Sequence, residues 1–129
     1  MPISLESFDL SNAFNILRIA CGVFFIPHII GKFFEPAALN FFVAAKFNPP
    51  VVWMYVAGGI EVVLALGLIL GILVPYVATL AAIHLAVAAV AVYRVSEGKW
   101  LWNIGGCEYP VFWAICCVVV AMHALSLIH

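Results

Sequence analysis

Residues 51 to 73 read VVWMYVAGGIEVVLALGLILGIL, an apolar run interrupted by a single charge, Glu61, near its middle. As a helix with a rise of about 1.5 Å per residue this stretch spans roughly 34 Å, slightly more than the ~30 Å hydrocarbon core of a bilayer. A run of this length and apolarity points to a tilted membrane-crossing helix. An ionisable side chain at that depth needs a partner or a task, and the rest of the chain has to supply one or the other.

The composition agrees. Of the 129 residues 67% are hydrophobic and 9% charged, and the mean hydropathy of +1.23 lies outside the range of water-soluble domains. Four spans of about 20 residues with short connectors use nearly the whole length and leave no room for a separate soluble catalytic domain. The expected fold is therefore an all-α membrane protein, one domain over residues 1–129, built as a four-transmembrane-helix bundle. A net charge of −1 without a Lys/Arg cluster gives no footprint for nucleic acid. The opening MPISLESFDLSN carries Glu6 and Asp9 and lacks a basic n-region, so the first apolar helix is expected to be retained.

The first span is expected over about 13–32, with Ser11 or Asn12 as N-cap. Pro27 removes the hydrogen bond to the Val23 carbonyl and predicts a kink. Arg18, Cys21, Phe25, His28 and Lys32 recur at spacings of three and four, which places them on one stripe facing protein. Pro36 and the pair Pro49-Pro50 bracket a short interfacial helix between helices 1 and 2. In the second span, 51–73, Gly58, Glu61 and Ala65 share a face. Gly67 and Gly71 form a GxxxG pair on roughly the opposite one, so this helix is expected to be central and closely approached from both sides.

The third span, 75–93, aligns Val77, Ala81, His84, Ala88 and Ala91, with His84 near mid-depth. The connector RVSEGKWLWNIGGCEYP carries Trp100, Trp102 and Tyr109, suited to a membrane interface, and Gly105-Gly106 for a sharp turn. The fourth span, about 110–128, is expected to turn Glu108, Phe112, Cys116, Val119 and His123 to one side. Lys32, Lys46, Arg94 and Lys99 fall at the loops on one side of the bundle. By the positive-inside rule those loops face the cytoplasm of a bacterial-type inner membrane and both termini lie outside.

Antiparallel threading sets Arg18 level with His123, Glu61 with His84, and Lys32 with Glu108. If all face inward, a polar file crosses most of the membrane. Two readings of it stand open. In one, buried pairs and interhelical hydrogen bonds fix the helix register and no ligand is involved. In the other, Glu61, His84 and His28 exchange protons with, or hydrogen-bond, the head group of a quinone, with Phe25 and Trp53 against its ring. Histidine suits that role because its ordinary pKa of about 6.5 lies near ambient pH. Glu108 at a helix start has a plainer use, favouring the positive end of the helix dipole.

No catalytic residue is assigned, and no covalently bound cofactor is expected. Cys21, Cys116 and Cys117 read as small apolar core residues, leaving Cys107, near a surface, as the candidate reactive thiol. No CxxC or HxxxH spacing gathers metal ligands, so no metal is expected.

The segments RIACGVFFIPHIIGKFF, GGIEVVLALGLILGI and WLWNIGGCEYP resemble the DoxX family of small four-helix bacterial membrane proteins. The matching positions are Arg18, His28, Lys32, Glu61, Gly67, Gly71, Trp102, Asn103, Gly106 and Glu108. The resemblance implies a four-helix bundle. Some relatives are assigned as subunits of thiosulfate:quinone oxidoreductase and others are linked to membrane redox systems, although membership does not by itself transfer a reaction. The expectation is a small subunit of a quinone-linked membrane redox complex, embedded in the lipid bilayer beside other membrane subunits or copies of itself, with electrons handled by a partner. The alternative is a non-catalytic structural or assembly subunit packing against a larger membrane complex, and the third is a small transporter or proton-conducting bundle.

Overall fold

The computed structural model describes residues 4–101 and 105–128. Among the described residues a short 3-10 turn, Leu5–Phe8, precedes six α-helices: α1 (Ala13–Val23), α2 (Phe25–Phe34), α3 (Pro36–Ala44), α4 (Pro50–Leu70), α5 (Val74–Val95) and α6 (Glu108–Ser126). Four spans are long and apolar enough to cross a membrane: α1 with α2 taken together, α4, α5 and α6. The chain is a multi-pass membrane protein.

Local chemistry sets the boundaries. The Asn12 side chain accepts from the Phe14 N–H at 2.9 Å and caps α1. The kink expected from Pro27 is present as a break at Phe24, so the first span is two helices and runs two residues beyond Lys32. Proline at 27 leaves the Val23 carbonyl without its helical donor, and the helix parts there. Glu35, before Pro36, is extended, as the proline ring demands, and Pro36 then opens α3. Pro50 opens α4 in the same way.

The exit of α4 departs from expectation. The helix stops at Leu70 because Gly71 adopts a left-handed conformation, φ 73°, and the Ile72 N–H returns to the Gly67 carbonyl at 2.9 Å, a Schellman closure. Gly71 thus belongs to the turn, and the pair Gly67/Gly71 does not form a helix-packing face. The other spans differ from expectation by one or two residues: α5 extends to Val95, and α6 begins at Glu108 and ends at Ser126.

The spans close into a ring. The α1–α2 span packs on α4, α4 on α5, α5 most extensively on α6, and α6 on α1, while α3 leans on α2 and α4. The shared core is Cys21 and Phe25 from the first span, Leu64, Ala65 and Leu68 from α4, Ala78, Ala81, Ala82 and Leu85 from α5, and Trp113, Cys117, Val120 and Ala121 from α6. Alanines along α5 let α6 come close. The outward faces are apolar too, with Ile60, Val63 and Leu66 on α4 and Leu80, Ile83 and Val87 on α5 exposed, as suits side chains meeting acyl chains instead of water.

The period expected for α6 is present but its phase differs. Phe112 and Val119 face outward, while Trp113, Cys117 and Val120 face the core. Glu108 and His123 sit at the two ends of the helix, where proximity to the interface relaxes their need for a protein-facing side, so they are poor guides to its buried face. Trp102, Asn103 and His129 lie outside the described residues.

Candidate functional site

Glu61 is 4% exposed, and it meets two bases delivered by two other helices. Lys32 Nζ, on α2, stands 3.0 Å from Oε1, and His84 Nε2, on α5, stands 2.8 Å from Oε2. As a carboxylate Glu61 can only accept, which assigns a proton to His84 Nε2 in this contact. Lys32 meets Oε1 as a close charge contact at 3.0 Å, and a carboxylate oxygen has a second lone pair for another donor.

α2 meets α4 closely at Gly58, one turn before Glu61. A Cβ there would fall 2.9 Å from the Phe33 ring and 3.6 Å from Lys32 Cβ, so glycine lets α2 sit against α4 with Phe33 undisturbed. His28, one turn before Lys32, does not join the ionic cluster. Its ring packs on Tyr109 at 5.9 Å and on Trp113 at 5.2 Å, between centroids. Phe25 lies edge-on to the His84 ring at 6.1 Å.

Beside the cluster lies a cavity of about 950 Å³, running from α2 and α3 across α4 to α5. Its polar lining includes Lys32, Glu61, His84, His28 and Tyr109. Trp53, Val56, Ile60, Val63, Leu80, Ile83 and Val87 supply apolar walls, and those wall residues are exposed on the outside of the bundle. The cavity therefore follows the crevice between α4 and α5 and opens sideways, toward acyl chains. Such a shape, apolar with a few convergent polar groups, is the usual form of a small-molecule site.

Other expected members of the polar file are elsewhere. Glu108 stands half-buried at the first residue of α6, and Lys32 pairs with Glu61 instead of with it. Lys32 chooses the buried acid because a charge without water gains most from a countercharge. Arg18 and His123 share the opposite end of the bundle, where they line a second cavity of about 330 Å³. They do not pair by charge: His123 stacks on Phe14, centroids 3.8 Å apart, and Arg18 Nη2 donates to the Ser7 carbonyl at 2.5 Å. Between the two levels lie Cys21, Phe25, Leu64, Leu68 and Cys117, all apolar and buried, so the file is interrupted.

Cys107 is buried at 4% exposure, not near a surface. Its N–H donates to the Lys99 carbonyl at 3.2 Å, and the Gly106 N–H to the Leu101 carbonyl at 2.8 Å. Those bonds draw the two ends of the connector together. Gly106 has no room for a side chain, since a Cβ there would run into the Trp100 carbonyl. Gly67, where a Cβ would fall 2.8 Å from Val77, permits close approach of α4 and α5 near their turn.

Trp113 is the member that sequence reasoning missed. Its indole N–H donates to the Cys21 carbonyl at 3.1 Å, next to the break in the first span, and its ring packs on Phe25 at 4.5 Å. The available signal was a tryptophan inside an apolar helix, away from the connector that carries Trp100, since a buried indole N–H requires an acceptor.

No curated protein and no solved structure matches the chain. A family model does: DoxX, over residues 13–94. That match runs from the start of α1 through α5 and takes in Arg18, Lys32, Glu61 and His84, with Gly58, which lets α2 sit against α4. Covering well over half of the sequence, it establishes that the chain belongs to the DoxX family.

Proposed function

We propose that this protein is the membrane-embedded, quinone-contacting subunit of a redox system in a bacterial-type cytoplasmic membrane, with the loops bearing Lys46, Arg94 and Lys99 on the cytoplasmic side. One observation carries the reading: an apolar cavity of about 950 Å³, open to the bilayer, has the Lys32–Glu61–His84 cluster in its wall. A quinone is an apolar tail with an oxygen-bearing head, and the cavity is divided in the same way.

The residues present fit that head group. Lys32, whose ammonium has three N–H donors, offers one to a quinone oxygen, and Glu61 Oε1 offers an acceptor for a quinol hydroxyl. A bound quinone supplies the two-electron, two-proton chemistry, its electrons coming from a partner subunit. Glu61 and His84, 2.8 Å apart, hold a proton between them at the head-group level, within the reach general acid–base exchange requires. Trp53 and Val56 give the ring an apolar wall.

The test is binding of a short-chain benzoquinone to the purified protein, read by quenching of tryptophan fluorescence, in the parent chain and in Glu61→Gln. The expected outcome is at least tenfold weaker binding with the bundle still folded. Unchanged binding together with a lowered unfolding midpoint would favour the second reading, in which the chain is a structural or assembly subunit. That reading also has an observation behind it: the same three side chains tie α2, α4 and α5 together.

A further inference from the structure

We propose that the end of the bundle opposite the Glu61 cluster binds a phosphate-class oxyanion, as a lipid head group or free in solution, with the Arg18 guanidinium as its cation. Arg18 is 5% exposed. Its one hydrogen bond among the described residues runs from Nη2 to the Ser7 carbonyl, while Nε is buried without a partner. No carboxylate of the described residues comes within the 4.0 Å of an ion pair. A carbonyl dipole does not neutralise a cation, and a buried cation lacking a countercharge is strongly disfavoured. Among the described residues no group supplies that charge, and an anion from outside the chain would.

The guanidinium is placed to receive it. Arg18 reaches from the second turn of α1 toward the Gly71 turn, where a Cβ would lie 2.9 Å from Nη1 and from Ser7 Oγ, so glycine lets the guanidinium and the N-terminal turn pack against it. There the cavity of about 330 Å³ is lined by Ser7, Asn15, Gly71 and His123 around Arg18. Its wall is built: the Asn15 amide donates to the Glu6 and Asp9 carbonyls at 2.8 and 3.0 Å and pins the N-terminal turn over the site. Glu6 also lines the cavity, and it is an exposed residue, so water screens its carboxylate.

Three features select the ligand class. A guanidinium presents a planar fork of donors that matches phosphate oxygens. One unpaired cation asks for one net negative charge. The site lies where α1 begins, α4 and α5 turn and α6 ends, the level at which lipid head groups sit beyond the hydrocarbon core.

The test measures thermal unfolding of the full chain in neutral detergent with phosphatidylglycerol, phosphatidylcholine or inorganic phosphate added at constant ionic strength. A rise in midpoint of about 3 °C or more with phosphatidylglycerol is expected, and Arg18→Gln is expected to abolish it. A rise with phosphatidylglycerol alone assigns the source to lipid, and a rise with inorganic phosphate as well assigns it to the free anion. No rise with either, an equal rise with zwitterionic phosphatidylcholine, or an undiminished rise in Arg18→Gln overturns the proposal. Should Arg18→Gln fail to fold, Arg18→Lys keeps the charge and loses the fork. It is expected to bind at least fivefold more weakly, and unchanged affinity there overturns the site.

Discussion

Glu61 illustrates how much of a buried charge is decided by what surrounds it. With Lys32 at 3.0 Å and His84 at 2.8 Å, loss of the acid leaves an ammonium in a low-dielectric interior, and loss of Lys32 leaves a carboxylate there. Each single change, Glu61→Gln or Lys32→Met, is therefore expected to cost about 3 kcal/mol in unfolding from mixed micelles. The double change is expected to cost clearly less than the sum, because no orphan charge remains. Trp113→Phe is a subtler case: the ring packing on Phe25 persists while the bond to the Cys21 carbonyl is lost, for an expected ~1 kcal/mol in the same assay. Outside the spans, Asp9 accepts from the Ser11 hydroxyl at 2.7 Å and its N–H at 3.0 Å, and these bonds hold its carboxyl below the usual carboxylate range. A depressed native pKa stabilises the folded chain at pH values above the unfolded value, near 4, and that gain fades as pH falls through the native one. Ser11→Ala is expected to raise the Asp9 pKa toward its ordinary value, as read by NMR titration of the labelled carboxyl.

At the level of elements, glycines report where helices need to touch, and they differ sharply from one another. A Cβ on Gly67 would press on Val77 of α5 at 2.8 Å, whereas one on Gly59 would meet nothing within 4 Å. Gly67→Ala is thus expected to lower stability by about 1–3 kcal/mol and Gly59→Ala to leave it unchanged or slightly raised, in parallel unfolding titrations. The inward stripe Arg18, Cys21, Phe25, His28, Lys32 was legible in the sequence, because five residues at helical spacing fix both period and phase, and Pro27 announced the break at Phe24. The buried phase of α6 was not legible. Lipid-facing and core-facing positions are equally apolar in a membrane helix, so Phe112 and Val119 look no different from Trp113 and Val120. The role of Gly71 was obscured for a related reason: GxxxG spacing is the same whether the second glycine lies in the helix or in the left-handed turn that ends it.

For the whole molecule, the sequence gives the polar members and the structure gives their grouping. Depth alone set Lys32 beside Glu108. The actual partner is Glu61, since the kinked α2 lies across the glycine face of α4 and lateral position in the ring is invisible to hydropathy. Grouping also decides what the bundle can transmit. Cys21, Phe25, Leu64, Leu68 and Cys117 pack between the Arg18 level and the Glu61 level, so among the described residues the two polar groups are separated by apolar side chains. Access is sideways instead, along the crevice of α4 and α5, where Gly59 lines the cavity and faces open space. Gly59→Phe puts a ring into the cavity from a position where the Cβ itself meets no neighbour. If ligand enters there from the bilayer, this change is expected to weaken short-chain quinone binding at least tenfold while the unfolding free energy stays within about 1 kcal/mol of the parent. Glu61→Gln, by contrast, is expected to move both. The two variants together separate a blocked entrance from a dismantled site: equal quinone affinity in Gly59→Phe and the parent would mean that the crevice is not the way in, whatever Glu61 does at its inner end.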